Sequence, residues 1–188
     1  AELLAEEVFS GRLVIKQWDE SVEQWIERIN FLAKHCSDYG VAPIDDSARC
    51  LLLQEICLGA MSYREIKNRE VLPVLKSWLP DGLEPMLETL ASSHLEIPNR
   101  RRPVSIRYAD GEARISLTVQ EMMPFKEHPT LAAGAYTLPI EVLAPNSRPV
   151  QITTELLGFW QDSYPEIRKQ LRGRYPKHDW PEAVEVGR

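Results

Sequence analysis

Apolar residues recur every three or four positions through most of the first half of the chain, the spacing of helices that bury one face. In ESVEQWIERINFLAKHC the apolar set is Val22, Trp25, Ile26, Ile29, Leu32, Ala33 and Cys36, with charges between. DDSARCLLLQEICLGA opens on Asp45-Asp46, which suits a helix N-terminus, and stops at Gly59. Ser62 with Glu65, and Asp81 with Glu84, have the spacing of capping boxes and are expected to open SYREIKN and DGLEPMLETLASS. Between them REVLPVLKSWL reads as a short helix with Pro73 in its first turn, and AELLAEEVF as another at the start. The expected core of this half is Trp25, Leu51, Ile56, Leu75, Trp78, Leu79, Leu83 and Leu87.

Near His94 the period changes from helical to alternating. RPVSIRYADGEARISLTVQE contains Asp110-Gly111, a pair suited to a two-residue hairpin turn in which both positions take positive φ. Pairing outward sets Tyr108 against Ala113, Ile106 against Ile115 and Val104 against Leu117, all on one face. TLPIEVLA supplies a third strand through Leu138, Ile140 and Val142, and HLEIP is a candidate fourth. MMPFKEHPTLAAGA reads as a loop with at most one helical turn. The pattern then returns to helix, with Thr153 or Thr154 capping TELLGFWQDS and Pro165 opening PEIRKQLRGR. Leu156, Phe159, Trp160, Ile167 and Leu171 form its buried stripe. The expectation is an α+β fold with a helical subdomain over 1–93 and a second subdomain over 94–188, packed as one unit. The second holds a small antiparallel sheet, C-terminal helices and an extended tail.

Composition fits this picture: 188 residues, 44% hydrophobic and 27% charged, form an ordinary globular chain with a core. No run approaches the ~18 apolar residues of a membrane span, and no membrane partner is expected. Three cysteines, an odd number at core-like spacing, favour a reducing cytoplasm over disulfides. The chain opens on Ala1 already in a helical pattern, so a preceding neighbour is expected. The net charge of −6 is uneven. Residues 1–98 carry 9 Lys/Arg against 17 Asp/Glu, a balance of −8, and residues 99–188 carry 13 against 11, a balance of +2. A polyanionic partner should therefore meet the second half.

Catalytic chemistry finds little support. There is no phosphate-loop motif among the scattered glycines, and the four histidines lack metal-ligand spacing with Cys or carboxylates. His35 and Cys36 are adjacent on a helix and point about 100° apart, which suits a helix end with a buried thiol better than a nucleophile and its base. Cys50 and Cys57, seven apart, form a core stripe.

Two basic features remain. The hairpin register that pairs Ile106 with Ile115 sets Arg107 opposite Arg114, an unfavourable pair that needs a carboxylate such as Glu141 or an external anion such as phosphate. Arg100, Arg101 and Arg102 add to the same field. This surface is either a solvated, self-neutralised sheet face or one that tracks phosphates. The second feature is RKQLRGRYPKHDWPEAV, where Arg168, Lys169, Arg172, Arg174 and Lys177 place five cations in ten residues. Cations at a helix C-terminus are stabilised by the dipole by ~0.3–1 kcal/mol each, which is reason enough for a structural role. The aromatic, proline-rich tail reads as a strap whose Trp180 plugs a groove, with the cations still open to phosphate.

APNSRPVQITTELLGFWQDSYPEIRKQLRGRYPKHDWPE closely resembles the C-terminal end of the bacterial HrpB-type ATP-dependent helicases, relatives of the DEAH-box RNA helicases. The shared pattern is Ala144-Pro145, Arg148-Pro149, Gln151, Thr153, Phe159-Trp160, Tyr164, Arg174 to His178, and Trp180 to Glu182. Weaker likeness continues upstream through IRYADGEARISLTVQE and WDESVEQWIERINFLAK. The resemblance implies a non-catalytic accessory domain of an ATP-dependent RNA helicase. ATP and Mg²⁺ would then be bound in motor domains outside this stretch, with no cofactor and no catalytic residue here. The expected partners are RNA or DNA, met through Arg107, Arg114, Arg168, Lys169, Arg172, Arg174 and Lys177, and the motor domains of the same polypeptide. The alternative is a structural module that docks on the motor through the acidic helical half.

Overall fold

A computed structural model describes residues 1–186, which divide into two compact units. The first comprises Ala1–Ala91 and the hairpin tip Tyr108–Glu112, and the second comprises Ser92–Arg107 and the chain from Ala113 onward. The architecture is α+β, as expected.

The first unit holds helices α1 (Glu2–Phe9), α2 (Glu20–His35), α3 (Asp46–Ile56), α4 (Tyr63–Ile66), α5 (Leu72–Ser77) and α6 (Leu83–Leu90). Asp19 caps α2 by accepting from the Ser21 and Val22 amides, and Asp45 caps α3 by accepting from Ala48 N, which satisfies otherwise orphaned donors. The stripe of α2 is buried along Val22, Trp25, Ile26, Ile29 and Leu32, and the core of this unit also takes in Leu52, Leu53 and Ile56 of α3 and Leu83 and Leu87 of α6. Leu51 departs from expectation: it is 59% exposed, because α3 turns Leu52 and Leu53 inward.

Neither expected capping box forms. The Ser62 hydroxyl donates to the Glu65 carboxylate instead of accepting from the helix backbone, and α6 starts after Gly82, whose φ of +80° ends the preceding turn. A capping box does form at Thr118 and Glu121, opening the short helix α7 (Val119–Met122) in a stretch read as strand end and loop.

The Asp110-Gly111 turn is as expected, with φ of +53° and +69°. Its tip packs on α2: Tyr108 is buried edge-on to Phe31, and Gln24 bonds both the Tyr108 carbonyl and the Tyr108 amide, as a neighbouring strand would. Lys34 pairs with Glu112, and His35 Nε2 meets Gly111 O at 3.0 Å, so His35 serves the hairpin and not Cys36. Burial, then the nearby Asp38 charge, pushes the Cys36 thiol above its ordinary pKa, opposite to what a thiolate nucleophile needs.

In the second unit the strand before the hairpin is split. β1 (His94–Leu95) pairs antiparallel with β2 (Val104–Ser105), and β3 (Arg107–Ala109) begins after Ile106, whose amide turns to Ser93 O. Val104 therefore meets Leu95 and not Leu117, and HLEIP contributes to a separate two-stranded sheet. β5 (Thr130–Leu131) and β6 (Tyr136–Thr137) form a second small pair. The main sheet runs β3-β4-β7-β8, with β4 (Glu112–Thr118), β7 (Ile140–Leu143) and β8 (Pro149–Thr153). β4 and β7 are parallel, a pairing that the long crossover of residues 119–139 permits. β8 was not foreseen as a strand; it lies antiparallel to β7. Helices α8 (Leu156–Gly158) and α9 (Tyr164–Arg172) follow, joined by a π-helical turn over Phe159–Ser163. The N-cap of α8 is Glu155, which accepts from the Leu157 and Gly158 amides, while Thr153 bonds the Glu155 backbone.

Candidate nucleic-acid interface

The register of the main sheet assigns its two faces. Ile115 and Leu117 on β4 align with Ile140 and Val142 on β7, and Val142 and Ile140 align with Gln151 and Thr153 on β8. These positions form the inner face, and the Gln151 side-chain amide donates to Ser163 Oγ at 3.1 Å. The segment that carries α8 and α9 thus lies over the inner face, burying Leu156, Phe159, Trp160, Tyr164 and Ile167. Arg114, Ser116, Glu141 and Ile152 occupy the alternate positions and share the outer face.

Arg107 and Arg114 are both exposed between buried neighbours. Glu141, the carboxylate expected to relieve them, instead accepts from the Ser116 hydroxyl at 2.6 Å. Arg100 is ion-paired with Glu121, while Arg101 and Arg102 are exposed.

The tail carries the other cations. Trp180 is 7% exposed, and its Nε1 donates to Tyr175 O at 2.9 Å. Two residues of α9 pin the strap: Tyr164 donates its hydroxyl to Pro181 O at 2.8 Å, and Arg168 Nε donates to Trp180 O at 2.9 Å. The same guanidinium lies 3.4 Å from the Glu182 carboxylate. Burial pushes the Tyr164 hydroxyl above its ordinary pKa, so it stays a donor. From α7, Gln120 adds a hydrogen bond to Asp179 O. Trp160 stands edge-on between Phe159 and Tyr164, a stack that backs the helical side of the strap. The clamp roles of Tyr164 and Gln120 were missed in the sequence, where nothing marks a hydroxyl or amide that must reach a backbone more than fifteen residues away.

Lys169, Arg172, Arg174 and Lys177 are exposed. Arg168 differs from them: it is half-buried and committed to the strap. The seven residues singled out in the sequence thus fall into three groups. Arg114 lies on the outer face of the sheet, with Arg107 exposed on the neighbouring strand. Arg168 is a clasp. The remaining four surround the C-terminal end of α9, on the layer that covers the inner face. Arg114 and the tail cations therefore sit on opposite layers of this unit. Among the described residues no group of three His, Cys, Asp or Glu is placed to hold a metal, and no helix is long and apolar enough to cross a membrane.

A family model described as ATP-dependent helicase C-terminal matches residues 52–183. The ATP-dependent RNA helicase HrpB of Escherichia coli strain K12 is 33% identical over 175 residues, covering 90% of this chain and 22% of that protein. A crystal structure of the E. coli DExH-box NTPase HrpB matches with a TM-score of 0.80 at 30% identity, over 90% of this chain and 22% of the other. A second, of the E. coli DEAH/RHA helicase HrpB, matches with a TM-score of 0.70 at 29% identity, over 94% and 23%. The chain spans about a fifth of the length of these relatives. The resemblance drawn from residues 145–182 is borne out, and the chain belongs to the HrpB-type ATP-dependent helicase C-terminal family.

Proposed function

We propose that this chain acts as a non-catalytic accessory domain of an ATP-dependent helicase and holds nucleic acid by its phosphates at the end of α9. The observation that carries this reading is the set Lys169, Arg172, Arg174 and Lys177, exposed and without a carboxylate partner among the described residues. Several other arginines do have such partners, Arg12 with Glu7, Arg49 with Glu23 and Arg100 with Glu121. Four unneutralised cations on a pinned scaffold suit a phosphate backbone, which needs spaced positive charge and no base readout. Arg168 acts indirectly, by fixing the strap from which Lys177 projects. Arg114 supplies a separate contact on the other layer, with Arg107 on the strand beside it. ATP and Mg²⁺ are assigned to motor domains of a longer polypeptide in the cytoplasm, with RNA as the substrate suggested by the relative's name.

The test is binding of a short labelled single-stranded RNA, and the matching DNA, across a range of salt. The reading expects affinity that falls linearly with log salt, and a variant with all four cations changed to Gln that binds more weakly with a shallower slope. Absence of binding at low salt, or a slope unchanged in the variant, contradicts it.

Docking on the motor domains is a second reading, favoured by Leu51, Leu58 and Met61, which are 59%, 71% and 90% exposed along and just after α3. It expects that changing the three to Ser, Gln and Gln leaves this chain's melting temperature intact but lowers that of the full-length enzyme. Equal melting of the two full-length enzymes contradicts it.

A further inference from the structure

After Gly173 the chain carries the rings of Tyr175, His178 and Trp180, and the fold buries only the last of them. Tyr175 is partly exposed and His178 exposed. These two rings stand edge to face, with centroids 6.3 Å apart and planes at 80°. An edge-to-face contact covers at most one face of one ring, so part of the remaining ring surface of the pair meets solvent.

The turn that holds the pair is fixed without any ligand. The Tyr175 amide donates to Leu171 O at 2.8 Å, and the Arg174 amide reaches the same carbonyl at 3.0 Å. The Tyr175 carbonyl accepts twice, from the His178 amide at 3.2 Å and from Trp180 Nε1 at 2.9 Å. Between the two rings Pro176 fixes its own φ. Two rings that the core does not take in are thus held on a preorganised backbone, which lowers the cost of ordering them on binding. Cations alternate with them: Arg174 precedes Tyr175 and Lys177 precedes His178, and both cations are exposed. A hold on phosphate alone needs the cations and no rings. Rings interleaved with cations suit a single strand, whose backbone follows the charge while its bases stack on the aromatic faces.

We propose that the turn over residues 174–178 stacks an unpaired nucleobase on the Tyr175–His178 pair, so that its ligand is single-stranded nucleic acid; this rests on the phosphate reading given above for the four cations. A base in a duplex has its faces covered by its neighbours and does not enter the site. Stacking uses the π-face that every base has, so the site is tolerant of sequence.

Affinity of the 188-residue chain at low salt tests the site, with a thymidine decamer and with the same strand carrying abasic tetrahydrofuran residues throughout, which keeps its phosphates. The base-bearing strand should bind about fivefold or more tighter, the lower end for one stacked base, and should move the Tyr175 ring-proton resonances upfield. Tyr175→Leu should abolish this preference while leaving affinity for the abasic strand unchanged, and Tyr175→Phe should keep it. If Tyr175→Leu fails to fold, His178→Leu decides, and should shrink the preference. Equal binding of the two strands overturns the stacking and leaves the phosphate reading standing, whereas binding of neither overturns both. A preference undiminished in a folded Tyr175→Leu, or in His178→Leu where that variant decides, also overturns the proposal. A uridine decamer separates RNA from DNA as the source of the base. Tighter binding than the thymidine strand identifies RNA and weaker binding identifies DNA; either ranking supports the site.

Discussion

Arg28 stands between Ile26 and Ile29 on α2 and is only 7% exposed. Its Nε donates to Ala91 O at 2.7 Å and its Nη2 to Glu88 at 2.5 Å, so it fastens α2 to the end of α6 and satisfies a carbonyl that the helix leaves unpaired. Arg28→Ala is expected to destabilise the chain by about 1–3 kcal/mol, the cost of a buried acceptor without its donor, read as a lower urea midpoint with unchanged slope. Nothing in a helical pattern distinguishes such an arginine from one on a solvated face, because the partner is a backbone carbonyl more than sixty positions away. Leu51 was misjudged for a related reason: three consecutive leucines fit either rotation of α3, and only packing decides. His128 supplies a pH prediction. Its Nε2 meets Leu138 O at 2.8 Å, and burial lowers its pKa from 6.5. The unfolded chain then takes up the proton first, so stability is full above pH 6.5 and falls as the pH drops below it toward the folded value. Melting temperatures measured from pH 7 downward should decline, and His128→Gln should flatten that decline; an identical slope in the variant excludes the histidine as the cause.

At the scale of elements, caps and turns differ in how well they can be read. Asp45 and the Asp110-Gly111 turn act locally, through residues within three positions, and both were legible, whereas the equally local cap at Asp19 was missed. The spacings at Ser62 and Asp81 are equally local but fail, since a serine facing a glutamate can bond its side chain as readily as its backbone. Strand partners lay further beyond reach. The parallel alignment of β4 with β7 depends on a long crossover, and β8 begins on a proline. Gly111 has a test of its own: Gly111→Ala combines positive φ with a Cβ 3.0 Å from Lys34 Cδ. It should cost about 1 kcal/mol or more, whereas Gly59→Ala, with open space around it, should show the φ penalty alone. The strap was legible as an element through its prolines and Trp180, but its clasp was not. Trp180→Ala should destabilise by about 3–5 kcal/mol. Arg168→Lys should also lose stability despite keeping its charge, because one ammonium cannot reproduce the fork that meets both Trp180 O and Glu182. Thermal melts of the two variants check this, and a wild-type melt for Arg168→Lys would refute the clasp.

For the molecule as a whole, the charge asymmetry between the two halves was plain in the sequence, and so was the family, through the motif that ends in Arg174 to Glu182. What no sequence pattern conveys is how the cations of the second half are distributed over its layers. The sheet register turns Arg114 outward while α9 lies over the other face. The central claim, that Lys169, Arg172, Arg174 and Lys177 hold phosphate, is therefore best tested apart from the hairpin. The decisive measurement is the log–log salt slope of single-stranded RNA affinity for the wild-type chain, for the variant with those four changed to Gln, and for Arg107→Gln/Arg114→Gln. The account predicts that the fourfold variant loses up to about 3 from the slope, at about 0.7 per phosphate contact, while the hairpin variant loses clearly less. A fourfold variant with the wild-type slope would contradict it.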